Sequence, residues 1–522
     1  MLFNLSETVK KIEKLNKEKN YLVIGNIVFV FFLILFSNLG FLPFSELGSL
    51  IFLLVLALAF ALYRPRWSFL FLVGVIMLEN VNLMPADIGF NLRPYQLCGV
   101  SLMSAVFIRK ISGRCCLEKS RVQLMDWAVL LFILAGFVSV FGALDRGVAF
   151  NQSIIIASFG ILYFLTKVFV NRSSDFRRVS VFLLSSALIV VIYGIWQNVI
   201  FLKGGNHFEV MPGRPNATFA EPDWLGMFLV FVMALMYALS YKSIAQKFQK
   251  RWQCVGCAVL FVLVNILLII AVSRSAWLGV GAVTVTYFSI ALYFVMKKRL
   301  SLKKFLSYFS AIGGLIVLSI VLVEFLGLTN FELLNRAQST GSGLQEITVS
   351  CETEFSIPGE IGDISELEEY ECRHINLEDI ADEEANGKFV GKTYRKDPNV
   401  NIRAEIYKKS WAEIKKHPIL GIGWGNIGDI LGKDERGAGL NSSNIFLEVW
   451  LGAGILGLAA FIFMIGLGLH RSVLMLKSDN VAMGLFLILG VVAIIIPNLF
   501  NAGIMLGFVW LFFGLFGMNA EE

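Results

Sequence analysis

Three arginines at the edges of apolar segments are the residues of this 522-residue chain best suited to chemistry. Arg214 lies in GRPNATFAEPDWLG, Arg274 lies in AVSRSAWLGVG, and Arg403 begins RAEIYKKSWAEIKK. A guanidinium binds a phosphate through two parallel hydrogen bonds, and charges at the end of a membrane segment are usually paired or functional. The pattern predicts a phosphate site at Arg274, which Arg403 could also contact, and it marks Arg214 as a further functional candidate.

Polar groups that can move or hold a proton accompany these arginines. Asn216 and Glu221 share the stretch of Arg214, while Ser443 and Asn444 open the apolar segment NIFLEVWLGAGILG. Glu448 follows Asn444 by four residues and falls on the same face of a helix. A carboxylate can accept the proton of an attacking hydroxyl group. Glu448, Glu221 and Ser443 are therefore polar groups near the arginines that could take part in a reaction.

Each of these features also has a plain structural interpretation. Asp223 is placed to cap the helix that follows it, and Ser442 or Ser443 to cap a later one. Arg274 is also what a tight turn between two apolar helices needs as a polar tip. These alternatives stay open on the sequence alone.

Composition predicts the elements that carry the site. The chain is 57% hydrophobic and 16% charged, with a mean hydropathy of +0.71, whereas soluble proteins carry about 25% charged residues. Long apolar runs alternate with short charged knots, the pattern of many membrane-spanning helices. The predicted fold is an all-α polytopic bundle of about 12–14 spans, among which 67–84, 95–108, 480–497 and 499–517 are short or interrupted.

The distribution of basic residues predicts how the chain threads the membrane. Lys and Arg cluster in every second loop and are sparse in the loops between, which marks the basic loops as cytoplasmic. This also explains the net charge of +6 without a nucleic-acid partner. Both termini are expected in the cytoplasm, and the loops 202–223 and 328–444 outside. The predicted parts are 1–327 with about eleven spans, the loop 328–444, and the helices of 445–522.

The long loop 328–444 is predicted to contain an acidic insert and an amphipathic helix. Between Cys351 and Arg395 there are thirteen acidic and four basic residues, and Cys351 and Cys372 are candidates for a disulfide if the loop is exported. After it, Ile402, Ile406 and Ile414 recur at helical spacing among lysines. Such a helix is expected to lie on the outer membrane surface.

Several kinds of site are missing from the sequence. There is no P-loop, no GxSxG elbow, no HExxH and no paired-Asp motif for a nucleotide-sugar metal site. Cys254 and Cys257 form a C-x-x-C at the start of an apolar run and are interpreted as two small hydrophobic residues. We therefore expect neither a metal nor a cofactor.

The chain resembles the O-antigen ligase and polymerase superfamily of bacterial membrane glycosyltransferases. Four motifs carry the resemblance, in the family's order: RPNATFAEPDWLG, then SRSAWLG, then RAEIYKKSWAEIKKHPILGIGWGN, then NIFLEVWLGAGILG. A large loop between the second and fourth motifs also matches. The resemblance spans residues 210–460, and the first 200 residues agree only in hydropathy.

The resemblance implies a fold and a reaction. It implies a GT-C-like membrane bundle that takes a glycan from a polyprenyl diphosphate, such as undecaprenyl diphosphate, at the outer face of the bacterial inner membrane. The glycan passes to a lipid core, a growing polysaccharide or a protein hydroxyl, without nucleotide sugar or metal. Arg214 and Arg274 would hold the diphosphate, with Arg403 assisting. The expected partners are this donor, a glycan or lipid acceptor, membrane lipid and other polysaccharide-assembly proteins.

One departure from the family concerns the base. Ligases of the family usually have a His directly before the Asn of the fourth motif, and here that position is Ser443. His417 matches the His of the third motif, where a structural role is expected. Glu448 or Glu221 is then the candidate base, and a polymerase is favoured over a ligase. The alternatives are a transporter or flippase of lipid-linked glycan, or a non-catalytic protein of polysaccharide assembly.

Overall fold

A helical bundle with one small β-sheet makes up the structure, a computed structural model. It describes residues 2–88, 91–114, 121–205, 211, 213–245, 251–329, 344–353, 358–362, 364–375, 380–396, 398–432, 439–478 and 480–518. The first helices are α1 (Leu2–Asn38), α2 (Leu47–Tyr63), α3 (Pro65–Val75), α4 (Pro94–Ile111), α5 (Leu124–Ser139), α6 (Arg146–Phe169), α7 (Ser173–Leu202), α8 (Pro222–Ala245), α9 (Arg251–Ile270), α10 (Arg274–Met296) and α11 (Leu302–Phe325).

A mixed segment and three more apolar helices complete the chain. The mixed segment contains β1 (Leu344–Cys351), β2 (Glu360–Ile361), β3 (Cys372–His374), α12 (Ile380–Ala385), β4 (Phe389–Lys396), α13 (Pro398–Lys416) and α14 (Ile427–Leu431). It is followed by α15 (Ile445–Lys477), α16 (Val481–Asn498) and α17 (Gly507–Leu515).

Nine helices in the described part of the chain are long and apolar enough to cross a membrane. They include α1, α5 to α8, α10, α11, α15 and α16, while α2, α3 and the apolar part of α9 are shorter. The predicted all-α polytopic fold is confirmed, and the chain is a multi-pass membrane protein. Nine is fewer than the 12–14 predicted, since α2, α3, the apolar part of α9 and α17 are shorter than these nine helices.

Two predicted spans differ most from the structure. The segment 67–84 stays helical only to Val75, because the following loop is tied to the first motif: the Thr218 hydroxyl donates to the Met77 carbonyl at 2.6 Å and the Asn80 amide to the Thr218 carbonyl at 2.8 Å. The segment 499–517 is α-helical only in α17, whose nine residues extend about 14 Å, and it has one turn of 3-10 helix at Gly503–Met505. Residues 499–506, here called the C-terminal joint, connect α16 to α17.

The packing of α16 and α15 determines where the site can form. Helix α16 packs on α8, α10 and α15, and α15 packs on α5. The core beside them is aromatic, with buried Trp510 against Phe132 and Phe159. Because α16 touches all three helices that carry the first, second and fourth motifs, its end can meet the starts of α8, α10 and α15.

The acidic insert folds as a four-stranded sheet of order β2-β4-β1-β3. Strand β1 pairs antiparallel with β3 and β4, and β2 runs parallel to β4. Its small core contains Ile347, Val349 and Leu367. Cys351 and Cys372 stand opposite each other on β1 and β3 and form a disulfide, so the predicted pairing is confirmed.

Replacing both disulfide cysteines by serine should loosen the insert and leave the bundle folded. The bridge closes a loop with a separation of 21 residues, which in the chain-entropy account stabilises a fold by about 3 kcal/mol, or roughly a hundredfold in local opening. Hydrogen exchange of the β1 and β4 amides measures this. The matched control is Cys257→Ser, since Cys257 is a free, exposed cysteine of α9. Unchanged exchange in the double variant would contradict the expectation.

Candidate functional site

The first motif holds Arg214 against the end of α9 and the start of α8. The Arg214 Nε donates to the Ala271 carbonyl at 3.2 Å, and its Nη2 lies 3.5 Å from the Asp223 Oδ2. Only 14% of the Arg214 side chain and 28% of the Asp223 side chain are exposed. Asp223 is the second residue of α8 and turns to Arg214 instead of capping the helix from outside. The guanidinium is thus fixed at the junction of two membrane helices.

The second motif places Arg274 on the same junction. Ser273 is the N-cap of α10, and its hydroxyl donates to the Asp223 Oδ1 at 2.6 Å. Arg274 is the first residue of α10, and the first turn holds no acidic residue. A cation at this end opposes the helix dipole, so helix stability does not account for it. The arginine and the helix start together favour an anion.

Strained backbone is concentrated in the motif loops. Among the described residues, five non-glycine residues have positive φ, and three of them lie in a motif or directly before one: Ala217 at 48°, Val272 at 50° and Ser443 at 48°. Such a conformation costs about 1–3 kcal/mol and is retained where surrounding contacts impose it, often at functional sites. For Val272, whose branched side chain disfavours positive φ, the strain is greatest.

The third and fourth motifs interlock at a break in α15. Gly454 has φ 66° and ψ −172°, so the helix is interrupted there. The Ile422 amide donates to the Leu451 carbonyl at 2.7 Å, and the Ile455 amide donates to the Ile419 carbonyl at 3.2 Å. A Cβ on Gly454 would lie 2.0 Å from the Ile419 oxygen. The break in α15 leaves backbone groups of the fourth motif without partners inside the helix. The turn of the third motif supplies their hydrogen bonds.

Helix α13 lies against this interlocked region. Ile406 and Ile414 are buried with Ile422 and Leu451, so much of the predicted apolar stripe faces protein. Ile402 and Trp411 each remain 47% exposed. Part of the stripe thus packs against the turn of the third motif, and Ile402 and Trp411 remain available to the outer membrane surface on which the helix is expected to lie.

Arg403 and Tyr407 of α13 reach the C-terminal joint. The Arg403 guanidinium lies 5.7 Å from the ring centre of Phe500. The Tyr407 hydroxyl reaches the carbonyls of Ser443 at 3.1 Å and Leu499 at 3.2 Å. Burial raises the pKa of Tyr407, which keeps this hydroxyl protonated as a donor. The contacts bind α13 and the start of α15 to the joint.

The C-terminal joint connects the two halves of the site. On one side the Asn444 amide donates to the Leu499 carbonyl at 3.3 Å, and on the other the Asn501 amide donates to the Ser275 hydroxyl at 2.9 Å. The structure therefore brings Arg214 and Arg274 to one side of the joint and Arg403 and Asn444 to the other. Sequence reasoning missed Asn501 and the contacts of Tyr407. The signal was PNLFNAG, a polar interruption between apolar runs.

The start of α15 is held by its own polar residues. Asn444 is the N-cap, accepting from the amides of Phe446 at 2.9 Å and Leu447 at 3.3 Å, so neither Ser442 nor Ser443 is the cap. The Glu448 Oε2 accepts from the Ser442 amide at 2.9 Å and also from its hydroxyl. One oxygen of Glu448 thus holds the turn before the helix.

The remaining candidates of the first motif lie beside Arg214. Glu221 is partly buried, and its carbonyl accepts from the Leu225 amide at 3.1 Å at the start of α8. Asn216 is fully buried and its amide donates to the Phe219 carbonyl at 2.6 Å. Its Oδ1 has no hydrogen-bond partner. Asn216 shapes the loop, and Glu221 flanks the Arg214–Asp223 pair along the chain.

His417 ends α13 at the opposite end from Arg403. Their separation of fourteen positions corresponds to about 21 Å of helix. The His417 Nε2 lies 3.6 Å from the Glu413 Oε1, and its carbonyl accepts from the Gly421 amide at 3.0 Å. These contacts agree with the structural role expected for it.

A comparison with protein families identifies the region. Residues 257–462 match the family model described as O-Antigen ligase. This region of the chain is similar to the O-antigen ligase family. The resemblance predicted from the motifs is thereby confirmed, and it supports a membrane glycan ligase or polymerase in general terms. A search of curated proteins found no match.

The residues that match the O-antigen ligase family contain only part of the site. They include Arg274, Arg403 and the start of α15, whereas Arg214 and the C-terminal joint lie outside the matched residues. Within the described residues no group of three or more His, Cys, Asp or Glu side chains could hold a metal ion. The chemical groups that this region and its neighbours bring together are guanidinium, carboxylate, hydroxyl and amide.

Proposed function

We propose that this protein is a membrane glycosyltransferase that takes an oligosaccharide from a polyprenyl diphosphate and polymerises it or transfers it to an acceptor. The observation that carries the proposal is the junction at the head of α10. There Arg214 binds Asp223, Asp223 binds Ser273, and Ser273 precedes Arg274. Two guanidinium groups beside a helix start, at the end of membrane helices, suit a lipid diphosphate.

The proposed orientation places this junction at the outer face of the bacterial inner membrane, with both termini in the cytoplasm. The basic loops support it through the tendency of Lys and Arg to remain inside. The disulfide of the insert also supports it, because such bonds persist in oxidising compartments. In this arrangement 1–327 and 445–522 form the membrane bundle around the extracytoplasmic segment 328–444.

The proposed reaction forms one bond and breaks another. The acceptor hydroxyl oxygen bonds to the anomeric carbon of the donor glycan, and the bond from that carbon to the phosphate oxygen breaks. The electron pair leaves with the polyprenyl diphosphate, whose growing negative charge Arg214 and Arg274 stabilise. Arg403, across the joint, assists with the donor, and no metal or cofactor is required. The hydroxyl proton passes to a base.

Among the proposed bases, Glu221 is better supported than Glu448 or Ser443. Glu221 lies two residues from Asp223, the partner of Arg214, so it flanks the proposed diphosphate site. One oxygen of Glu448 is occupied by Ser442, and Ser443 lacks the basicity of the histidine that it replaces. In this proposal Glu448 stabilises the turn that presents Ser443 and Asn444.

Replacing Glu221 by glutamine should lower kcat by about a hundredfold, since a positioned base contributes roughly 10²–10⁴. The amide keeps the size of the side chain but cannot take a proton. Glu448→Gln should instead lower thermal stability with a smaller effect on kcat. The control is Glu324→Gln, because Glu324 is exposed at the end of α11. Wild-type kcat in Glu221→Gln would exclude Glu221 as the base.

The function is tested with the purified full chain in liposomes that contain a synthetic polyprenyl-diphosphate oligosaccharide. We expect release of polyprenyl diphosphate together with a longer glycan when an acceptor glycan is present. Movement of intact lipid-linked glycan between leaflets without release would identify a flippase instead. If neither release nor movement occurs with any donor and acceptor pair, a non-catalytic role in polysaccharide assembly replaces the proposal.

A further inference from the structure

The C-terminal joint has a defined shape of its own. The side chain of Asn498 is buried; its oxygen accepts from the Gly503 amide at 2.7 Å and its amide donates to the Ile494 carbonyl at 2.8 Å. The Asn501 amide also donates to the Pro497 carbonyl at 3.2 Å. The joint is therefore held by hydrogen bonds to the last residues of α16 and can act as a fixed point for its neighbours.

A continuous chain of polar contacts runs from the joint to Arg214. The Asn501 Nδ2 lies 2.9 Å from the Ser275 Oγ, which lies 3.2 Å from the Ser273 Oγ. The Ser273 Oγ lies 2.6 Å from the Asp223 Oδ1, and the Asp223 Oδ2 lies 3.5 Å from the Arg214 Nη2. Three residues, Ser275, Ser273 and Asp223, thus connect Asn501 to the guanidinium through three hydrogen bonds and one ion pair.

The three hydrogen bonds between Asn501 and Asp223 all donate in the direction of Asp223. Ser273 gives its single hydroxyl proton to the carboxylate, so Ser275 must be the donor between the two serines. The amide of Asn501 only donates, and it occupies the acceptor side of Ser275. Each hydrogen bond therefore supports the next, and together they stabilise the negative charge of Asp223.

The distances show which partner holds Asp223 more tightly. At 3.5 Å its contact with Arg214 is longer than a charge-assisted hydrogen bond of about 2.7–2.9 Å. At 2.6 Å the contact with Ser273 is short. Because the serine chain satisfies the carboxylate, Arg214 can turn to an incoming anion and Asp223 still keeps a hydrogen bond.

We propose that Asn501 is a positioning residue for glycosyl transfer, which acts through Ser275, Ser273 and Asp223 to hold Arg214 ready for the lipid diphosphate. The inference rests on the proposed function and adds to it a residue outside the region that is similar to the O-antigen ligase family. Without the Asn501 donor, Asp223 is held less firmly and competes with the diphosphate for Arg214. We therefore expect the lipid-linked glycan donor to bind more weakly.

The test compares the donor KM of Asn501→Ala with that of the wild type in the liposome assay. Loss of one hydrogen bond of this kind should raise the donor KM about tenfold with a smaller change in kcat. Ser275→Ala removes the same link and should reproduce the effect; it decides the question if Asn501→Ala does not fold. Asn265→Ala is the matched control. Asn265 is a buried asparagine of α9 whose amide donates to the Phe261 carbonyl, and it takes no part in the hydrogen bonds between Asn501 and Asp223.

A double variant separates positioning from general stability. Asp223→Asn removes the negative charge that the hydrogen bonds from Asn501 stabilise. In that background, adding Asn501→Ala should change the donor KM little. Full additivity, or an unchanged donor KM in a folded Asn501→Ala or Ser275→Ala variant, would overturn the inference while leaving the proposed function standing. A wild-type protein that releases no polyprenyl diphosphate would instead overturn the proposed function.

Discussion

Arg274→Ala should abolish long-chain glycan synthesis while the protein remains folded in the membrane. Removing one preorganised donor to a developing negative charge costs about 10²–10³ in kcat. The helix itself should not suffer, since a cation in the first turn of α10 opposes the helix dipole. The readouts are product length on a gel, kcat in the liposome assay and thermal stability in detergent.

Two further variants make the Arg274 result specific. Arg274→Lys keeps the charge but loses the planar fork, so partial activity is expected. Arg146→Ala is the matched control, because Arg146 is also the first residue of an apolar helix, α6, and is exposed. Polymer of normal length from Arg274→Ala, or an equal loss from Arg146→Ala, would contradict the assignment of Arg274 to the diphosphate.

Gly454→Ala should have the largest effect on stability. An alanine there must adopt φ 66°, and its Cβ would meet the Ile419 oxygen at 2.0 Å. Backbone strain of about 1–3 kcal/mol adds to an overpacking cost of similar size. The clash is with the backbone of the third motif. Any shift that relieves it would break the hydrogen bonds between the third and fourth motifs. We expect a lower melting temperature, and no glycan product from the small folded fraction.

Gly466→Ala is the control for that variant, on the same helix. A Cβ on Gly466 would meet nothing within 4 Å and its backbone is helical, so alanine should stabilise α15 by up to about 1 kcal/mol. Thermal unfolding monitored by size-exclusion chromatography separates the two. If Gly454→Ala unfolded at the wild-type temperature, the interlocking of the two motifs would not matter for stability.

The helices were accessible from the sequence because their signal is local. Apolar runs longer than the membrane thickness predict spans wherever they occur, and α6, α7, α11 and α15 follow this rule. Arg214, Arg274 and Arg403 were also identifiable as boundary charges, and the motif order led to the family. The disulfide could be proposed since Cys351 and Cys372 share one polar loop.

Only the tertiary structure decided which of these residues meet. No spacing rule predicts that the Asn501 amide reaches Ser275, 226 positions away, or that Tyr407 donates to Leu499. Such contacts depend on how α16 packs against α8, α10 and α15. The break at Gly454 could not be predicted from the sequence either. A glycine in an apolar run is compatible with a continuous helix, and the break forms only because a second segment supplies the missing backbone partners.

The sequence by itself determined a membrane bundle with arginines at its edges. Long-range packing determined that Arg214 and Arg274 share one junction and that the C-terminal joint links it to Arg403.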